Sequence, residues 1–388
     1  MLPSRAVQPE GEALQSGMRV AVIHSNADYL LGSRLPLLLH LRRRFEVVAL
    51  APDMRPAHRD ELRYHGITAG AISMNPTGLN PLTDMIDTFR LARQLRRIRP
   101  DAVITNTLKP VTMGTFASIL AGVQRRYALI SGLGYAFIDE EGPPSLRKRI
   151  IRIIATLEYR AALRRNRHVA FHNLDDLRQF VEAGVCPPDR AGRVNGSGVD
   201  TDSFEMTPAV NGPSFITVSR LLADKGILEY LEAARIVKER IPEASFLLVG
   251  DADANPRAID PEAIHRYVRS GIVEWPGRVR DVRAYLRRAG VFVMPSYREG
   301  LPRSTLEAMA MGRAVVTTDV PGCRETVVEG ENGLLVPARD VQALAAAMEQ
   351  LARDPALVAA MGKASRRIAE AVFDTEVVHR QLDQVMGW

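Results

Sequence analysis

Four ionisable side chains in the second half of this 388-residue chain are spaced to handle a phosphorylated, hydroxyl-bearing substrate. Arg220 and Lys225 lie in SRLLADKG, between the apolar run Ser214 to Val218 and a stretch with helical apolar spacing. Two cations between a strand's carboxyl end and a helix N-terminus make an anion site. The arginine fork grips a phosphate bidentately and the lysine adds a point charge. Glu299 and Glu307 follow, eight residues apart, in REGLPRSTLEAMA. A carboxylate cannot stabilise phosphate, so this pair is expected to accept hydrogen bonds from sugar or ribose hydroxyls. Each residue also has a plainer reading: structural ion pairing for the two cations, a solvated loop charge for Glu299, a surface helix position for Glu307.

The elements that must position them are legible around each. Val291 to Met294 reads as a buried parallel strand closed by Pro295. The turn SYREGLPR leads into a short helix from Ser304 to Met311, stopped by Gly312, and a second strand runs from Ala314 to Thr318. In open α/β sheets, ligands sit beyond the carboxyl ends of the strands. Gly300, Leu301, Pro302 and Ser304 fall at that end. Gly300 admits close backbone approach and Pro302 suits a first helical turn. A further strand is expected at Ser245 to Gly250, and Trp275 to Val279 ends another short one and precedes a helix from Asp281 to Arg288.

The first half repeats the strand–helix alternation. Strands are expected at Met18 to His24, Phe45 to Ala51, Ala102 to Thr105, Tyr127 to Ser131 and Val169 to His172, with a helix over residues 82 to 98. This predicts a doubly wound parallel sheet. No G-x-G-x-x-G follows the first strand, which argues against a dinucleotide fingerprint. Asn106 and Lys109, in NTLKP, lie at a strand's carboxyl end, where the lysine is placed for a phosphate. Gly132 and Gly134, in SGLGYAF, suit backbone approach to a ligand, and Gly32 with Arg34 occupies the first loop. Residues 145–168 form a basic amphipathic helix with Ile150, Ile151, Ile153, Ile154 and Leu157 on its apolar side. Such a helix either packs on a core or lies on an anionic bilayer.

Length and composition bound the rest. A chain of this size splits into two domains as a rule. Its 46% apolar and 25% charged residues are those of an ordinary globular protein. No apolar run is long enough to span a bilayer, and the first 17 residues lack a signal-peptide core, reading instead as a flexible tail. Two distant cysteines fit a reduced, disulfide-free cytoplasmic protein. The first 200 residues carry 28 Lys and Arg against 19 Asp and Glu, so an anionic partner is expected there; the rest is slightly acidic. No recognised motif accompanies that charge to suggest nucleic acid. The boundary is expected at VNGSGVDTDSF, residues 194–204.

The segment from Val291 to Val336 resembles the donor-site signature of glycosyltransferase family 4, retaining enzymes of the GT-B fold. Glu299, Gly300, Leu301, Pro302, Glu307, Ala308, Met309, Gly312, Pro321, Gly322, Glu325, Gly330, Asn332, Gly333 and Val336 carry the likeness. NTLKP and SGLGYAF are similar to a subgroup that extends polyprenyl-diphosphate-linked acceptors in bacterial surface-glycan assembly. The resemblance covers about Met18 to Val372 and implies two Rossmann-like α/β domains with parallel sheets facing across a cleft. These would be an acceptor domain over residues 18–197, a donor domain over 198–372, and a helix over 373–388 returning to the first. It implies Arg220, Lys225 and Glu299 as the catalytic set. Gly250, Arg278, Val279, Gly300, Leu301, Pro302, Ser304 and Glu307 would complete the donor site. Asn106, Lys109, Gly132, Gly134, Gly32 and Arg34 would face the acceptor. Many relatives have a glycine pair where this chain has only Gly32.

The expected donor is a UDP-sugar, with an N-acetylhexosamine as the sugar. The expected acceptor is a polyprenyl-diphosphate saccharide at the cytoplasmic face of the inner membrane, reached through the basic N-terminal domain. No nucleic acid partner and no cofactor are expected. Asp251-Ala252-Asp253 matches a metal-binding D-x-D, but that motif belongs to a different glycosyltransferase fold, so no metal is expected. The rival readings are an acceptor in solution, a GT-B 2-epimerase, which lacks the combined Arg–Lys and paired-glutamate arrangement, and a non-catalytic sugar-nucleotide-binding protein.

Overall fold

The computed structural model describes residues 17–76, 78, 80–134, 137, 145–208, 210, 212–251 and 257–388. The chain forms two compact units: one reaches to Ser197 and takes in Val378–Trp388, and the other is Gly198–Val377.

In the first unit the order is β1 (Arg19–Ile23), α1 (Ala27–Leu31), α2 (Leu35–Arg42), β2 (Glu46–Ala51), α3 (Pro56–Tyr64), β3 (Thr68–Ala71) and α4 (Pro81–Ile98). Then come β4 (Ala102–Asn106), α5 (Leu108–Ala121), β5 (Arg125–Ile130), α6 (Leu146–Leu163), β6 (His168–Phe171), α7 (Leu174–Glu182) and β7 (Ala191–Arg193). The strands form one parallel sheet in the order β3-β2-β1-β4-β5-β6-β7. Because strand–helix–strand crossovers are right-handed, reversing direction at β1 divides the helices between the sheet's two faces. Accordingly Leu30, Leu38 and Leu62 pack on one face, and Leu91, Met113, Tyr159 and Phe180 on the other. With both faces covered, the central strands are nearly all apolar.

The second unit runs β8 (Ser214–Val218), α8 (Ile227–Arg240), β9 (Ser245–Val249), α9 (Pro261–Arg269), β10 (Glu274–Gly277), α10 (Arg283–Leu286) and β11 (Val291–Met294). It continues through α11 (Arg303–Ala310), β12 (Ala314–Thr318), β13 (Gly333–Val336), α12 (Val341–Arg353) and α13 (Pro355–Ile368). Its parallel sheet has the order β10-β9-β8-β11-β12-β13. The Arg313 guanidinium is fully buried and donates to the carbonyls of Ala289, Met311 and Thr207, tying the segment before β8 to the base of the sheet.

A last helix, α14 (Thr375–Met386), leaves the second unit and completes the core of the first. Val378, Leu382 and Met386 join the cluster around Leu30 and Leu38, and the Trp388 ring stands edge-on to Tyr127 at 4.7 Å. Polar contacts fix its register: His40 Nε2 meets Asp383 at 3.0 Å, and Gln381 accepts the Asn195 N–H at 3.1 Å.

Several expectations need correction. The stretch after β1 holds two helices, because Arg34 and Pro36 start α2 afresh after the five-residue α1. β3, α3 and β7 were not foreseen; β3 reads TAGA and β7 reads AGR, with too few apolar residues to signal a strand. The helix expected from Asp281 to Arg288 is regular only over the four residues of α10. In α6 the isoleucine stripe faces outward, while Lys148, Ala155, Tyr159, Ala162 and Leu163 are buried.

Candidate functional site

Two loops meet at the carboxyl ends of neighbouring strands β8 and β11. The β8 loop carries Arg220, makes a tight turn over Ala223–Lys225, and passes to α8 at Gly226. Gly226 has φ +67°, and a Cβ there would stand 2.0 Å from the Pro295 carbonyl oxygen. Only glycine allows both the left-handed turn and this backbone contact. The approach carries Lys225 to the β11 loop, where its Nζ meets Glu299 Oε1 at 2.5 Å; the side chains are 13% and 15% exposed.

Glu299 is held from several sides. Ser296 Oγ donates to the same carboxylate oxygen at 2.8 Å, and the Glu299 N–H donates to the Pro321 carbonyl at 3.0 Å. Gly322, at φ +80°, lets the next loop close over this backbone: a Cβ there would lie 2.3 Å from the Glu299 carbonyl oxygen. Pro302 is the N-terminal cap of α11 rather than part of its first turn, and Ser304 is the helix's second residue. Gly300, Leu301 and Pro302 therefore lead straight to the positive end of α11.

Glu307 lies in the second turn of α11 with its own partner. Its carboxylate accepts from Arg303 Nε at 2.9 Å and is 12% exposed. Burial raises its pKa above the usual carboxylate range, and the nearby Arg303 charge offsets part of the rise. The structure thus joins Lys225 to Glu299 directly and leaves Glu307 on a separate ion pair. Arg220 is exposed two residues beyond β8. Gly250 follows β9 directly and lies against the same loop: a Cβ there would stand 1.8 Å from the Ser219 carbonyl oxygen. The Gly250 N–H donates to the Gly277 carbonyl at 3.0 Å, which ties in the end of β10. Just past it, Arg278 is exposed, and Val279 packs against the Phe292 cluster.

Four residues at this end were not singled out from sequence. Ser296 and Arg303 hold the two glutamates. Tyr297 donates through its hydroxyl to Glu229, and the Arg339 guanidinium lies 4.2 Å from its ring centroid. Arg339 itself has φ +65°, a left-handed conformation uncommon outside glycine. Of these, Arg303 was readable, since it precedes Glu307 by the four residues that align helical side chains.

In the first unit, polar groups gather at the carboxyl ends of β1, β4, β5 and β6. Arg34 precedes α2 and is 6% exposed. Its charge acts on two buried imidazoles: desolvation and then Arg34 lower His24 to about 3, and the same causes hold His172 well below the usual range. Arg34 and His172 line a small cavity with Leu129 and His379. Asn106 Oδ1 accepts from Ser131 Oγ at 2.9 Å, and Thr107 bonds Ser25 at 3.1 Å from a backbone at φ +73°. Gly132 and Gly134 have φ +139° and +77°, conformations that suit glycine. Gly32 caps α1 at φ −86°.

Lys109 departs from expectation. Expected to stand ready for a phosphate, it is the second residue of α5 and is paired with Asp84 of α4 in a largely covered contact. Tyr135 and Ala136 of SGLGYAF, Asp253 of the D-x-D match and the flexible tail expected through Gly17, up to Ser16, lie outside the described residues. Among the described residues, no group of three or more His, Cys, Asp or Glu could hold a metal ion.

Residues 212–354 match the family Glycosyl transferases group 1. The chain is 25% identical over 380 residues to N,N'-diacetylbacillosaminyl-diphospho-undecaprenol alpha-1,3-N-acetylgalactosaminyltransferase of Campylobacter jejuni, covering 94% of this chain and 97% of that one. It is 25% identical over 343 residues to the amylovoran biosynthesis glycosyltransferase AmsK of Erwinia amylovora, covering 77% and 82%. The crystal structure of Anabaena HepE in complex with UDP superposes with a TM-score of 0.75 at 18% identity, over 95% of this chain and 100% of that one. The chain is a glycosyltransferase of the GT-B fold, and its second unit carries a glycosyl transferases group 1 domain.

Proposed function

We propose that this enzyme transfers a sugar, an N-acetylhexosamine, from a UDP-sugar to a polyprenyl-diphosphate-linked saccharide in bacterial surface-polysaccharide assembly, with retention of anomeric configuration. The Lys225–Glu299 ion pair carries the reading, because it places a cation and a hydroxyl acceptor side by side at the carboxyl ends of β8 and β11. The acceptor class is supported by the Campylobacter relative, which aligns over nearly the whole chain and whose name specifies a diphospho-undecaprenol acceptor. The nucleotide is supported by the UDP held in the HepE structure. Such acceptors reside in membranes, so the enzyme would work at the cytoplasmic face.

The barrier is cleavage of the bond between the anomeric carbon and the diphosphate. As it breaks, charge develops on the leaving phosphates, and groups already aimed at that charge lower the barrier most. Arg220, Lys225 and the first-turn amides of α11 do this work. An arriving diphosphate takes the Lys225 ammonium from Glu299, and the freed carboxylate turns to the sugar hydroxyls. Lys225 thus remains compensated in both states, which keeps a buried charge from standing alone. Glu307 exchanges Arg303 for the ribose hydroxyls. The leaving phosphate accepts the proton of the attacking hydroxyl, so no separate protein base is required, and no metal is assigned a role.

A donor panel tests this. Purified protein is incubated with UDP- and GDP-sugars and a synthetic polyprenyl-diphosphate sugar, products are weighed by mass spectrometry, and the new linkage is assigned by NMR. A UDP-dependent product with the donor's anomeric configuration is expected. Product from GDP-sugars alone, or an inverted linkage, overturns the donor or the stereochemical assignment. Transfer to unlipidated saccharide alone overturns the acceptor.

A further inference from the structure

The first unit turns apolar side chains outward on two helices of the same sheet face. On α4 these are Leu82, Met85, Ile86 and Phe89, at the i, i+3, i+4, i+7 spacing of a single stripe. On α6 they are Leu146, Ile150, Ile153, Ile154 and Leu157, again one stripe. None of the nine is less than 47% exposed. Single exposed apolar residues are ordinary, but two aligned stripes are not.

Three observations join the stripes into one surface. Both helices pack on α5, and right-handed crossovers place all three on the same side of the sheet. The carboxyl of Glu158, on α6 beside Leu157, feels the charges of Asp84, on α4 beside Met85, and of Lys109, on α5. The α4 stripe occupies the N-terminal half of its helix and the α6 stripe its first two thirds, so both begin level with the carboxyl ends of the strands, where Asn106 and Gly132 lie.

Charge decides what such a surface meets. Arg93 and Arg97 continue along α4 beyond Phe89, and Arg147 and Arg149 flank the α6 stripe. Among the described residues, none of these four guanidiniums forms an ion pair. Apolar side chains edged by free arginines match an anionic bilayer: the stripes enter the acyl boundary and the arginines meet lipid phosphates. Lys148 points the other way, into the protein, and takes no part in this surface.

We infer that the outward faces of α4 and α6 dock the first unit on an anionic membrane, with the acceptor end of its sheet toward the lipid. The inference deepens the lipid-linked acceptor assigned above and rests on that reading for its purpose.

Vesicle flotation with the full chain tests it, using phosphatidylcholine vesicles with and without phosphatidylglycerol. Wild type should float with the anionic vesicles. An Ile150→Ser, Ile153→Ser, Leu157→Ser triple variant and a Met85→Ser, Phe89→Ser double variant should each lose at least tenfold of the bound fraction, with melting temperatures unchanged. An Arg93→Glu, Arg149→Glu variant should lose the preference for anionic lipid. The two apolar variants should still transfer sugar to a short-chain, water-soluble diphosphate acceptor. Failure of wild type to float, or equal flotation of the apolar variants, overturns the proposal. So does sedimentation showing a wild-type dimer that the apolar variants abolish, since the face would then belong to a second copy. Flotation needs neither donor nor acceptor, so its failure is separable from failure of the transfer reaction.

Discussion

The two units build their polar ends in opposite ways. In the second, Lys225 and Glu299 are paired and partly open to solvent, as the exchange of ionic partners proposed for a diphosphate requires. In the first, His24 and His172 are buried and held neutral beside the charge of Arg34. The paired arrangement suits the charged donor proposed above. The other keeps most of its polar groups within the core and places apolar surface outside. Similar sheets thus carry sites of different electrostatic character, and the loops beyond the strands make the difference.

Lys225→Ala is expected to have the largest effect. It removes the cation assigned above to the leaving diphosphate and should lower kcat by about 10²–10³-fold, the usual effect of deleting one transition-state donor. Steady-state kinetics, with circular dichroism to confirm the fold, checks it. Near-normal kcat would break the comparison by showing the ionic pair to be structural.

Acid should separate the units. The unfolded chain protonates His24 near pH 6.5, whereas the folded protein holds it neutral to about 3. Stability is therefore present above pH 6.5 and lost as the pH falls through that window, about 2 kcal/mol by pH 5 from His24 alone. Burial of His172 acts in the same sense. Glu307 acts oppositely, because a raised folded pKa favours the folded state on acidification. Limited proteolysis between pH 7 and 5, with fragments mapped by mass spectrometry, should show the first unit opening before the second. A His24→Gln variant should flatten that dependence.

Glu307→Gln keeps the shape of the side chain but weakens a charged acceptor. The KM for the nucleotide sugar should rise about tenfold with a smaller change in kcat, consistent with loss of one charge-assisted hydrogen bond. A selective fall in kcat would move Glu307 from ribose binding to the reacting centre. Asp383→Asn should have the smallest effect, costing about 1 kcal/mol in thermal unfolding through the weakened His40 contact, with kinetics unchanged.

The sequence was most legible where chain neighbours decide the structure. Val291–Met294 and Ala314–Thr318 are buried on both faces, so their apolar runs announced them, and Gly312 marked the end of α11. The Lys225–Glu299 contact was implied only by placing both residues beyond strand ends; the pairing depends on Gly226 pressing against Pro295, 69 residues away. The order β8-β11 cannot be read from local spacing. α6 shows a different limit. It has two apolar stripes, and periodicity locates both without saying which one the sheet covers. Ala155, Tyr159 and Ala162 took the inner side, where small residues let the helix approach and the tyrosine fills the space around Phe180.

The helix that returns to the first unit also bears on how the chain acquires its shape during synthesis. Val378, Leu382 and Met386 are buried against β-strands made more than 200 residues earlier, so a nascent first unit presents an incomplete core while the second is being translated. The second unit has no such dependence, because all its strands and the helices covering them are contiguous. The later-made half is thus free to mature first, and the earlier half cannot close its core until the returning segment has been made.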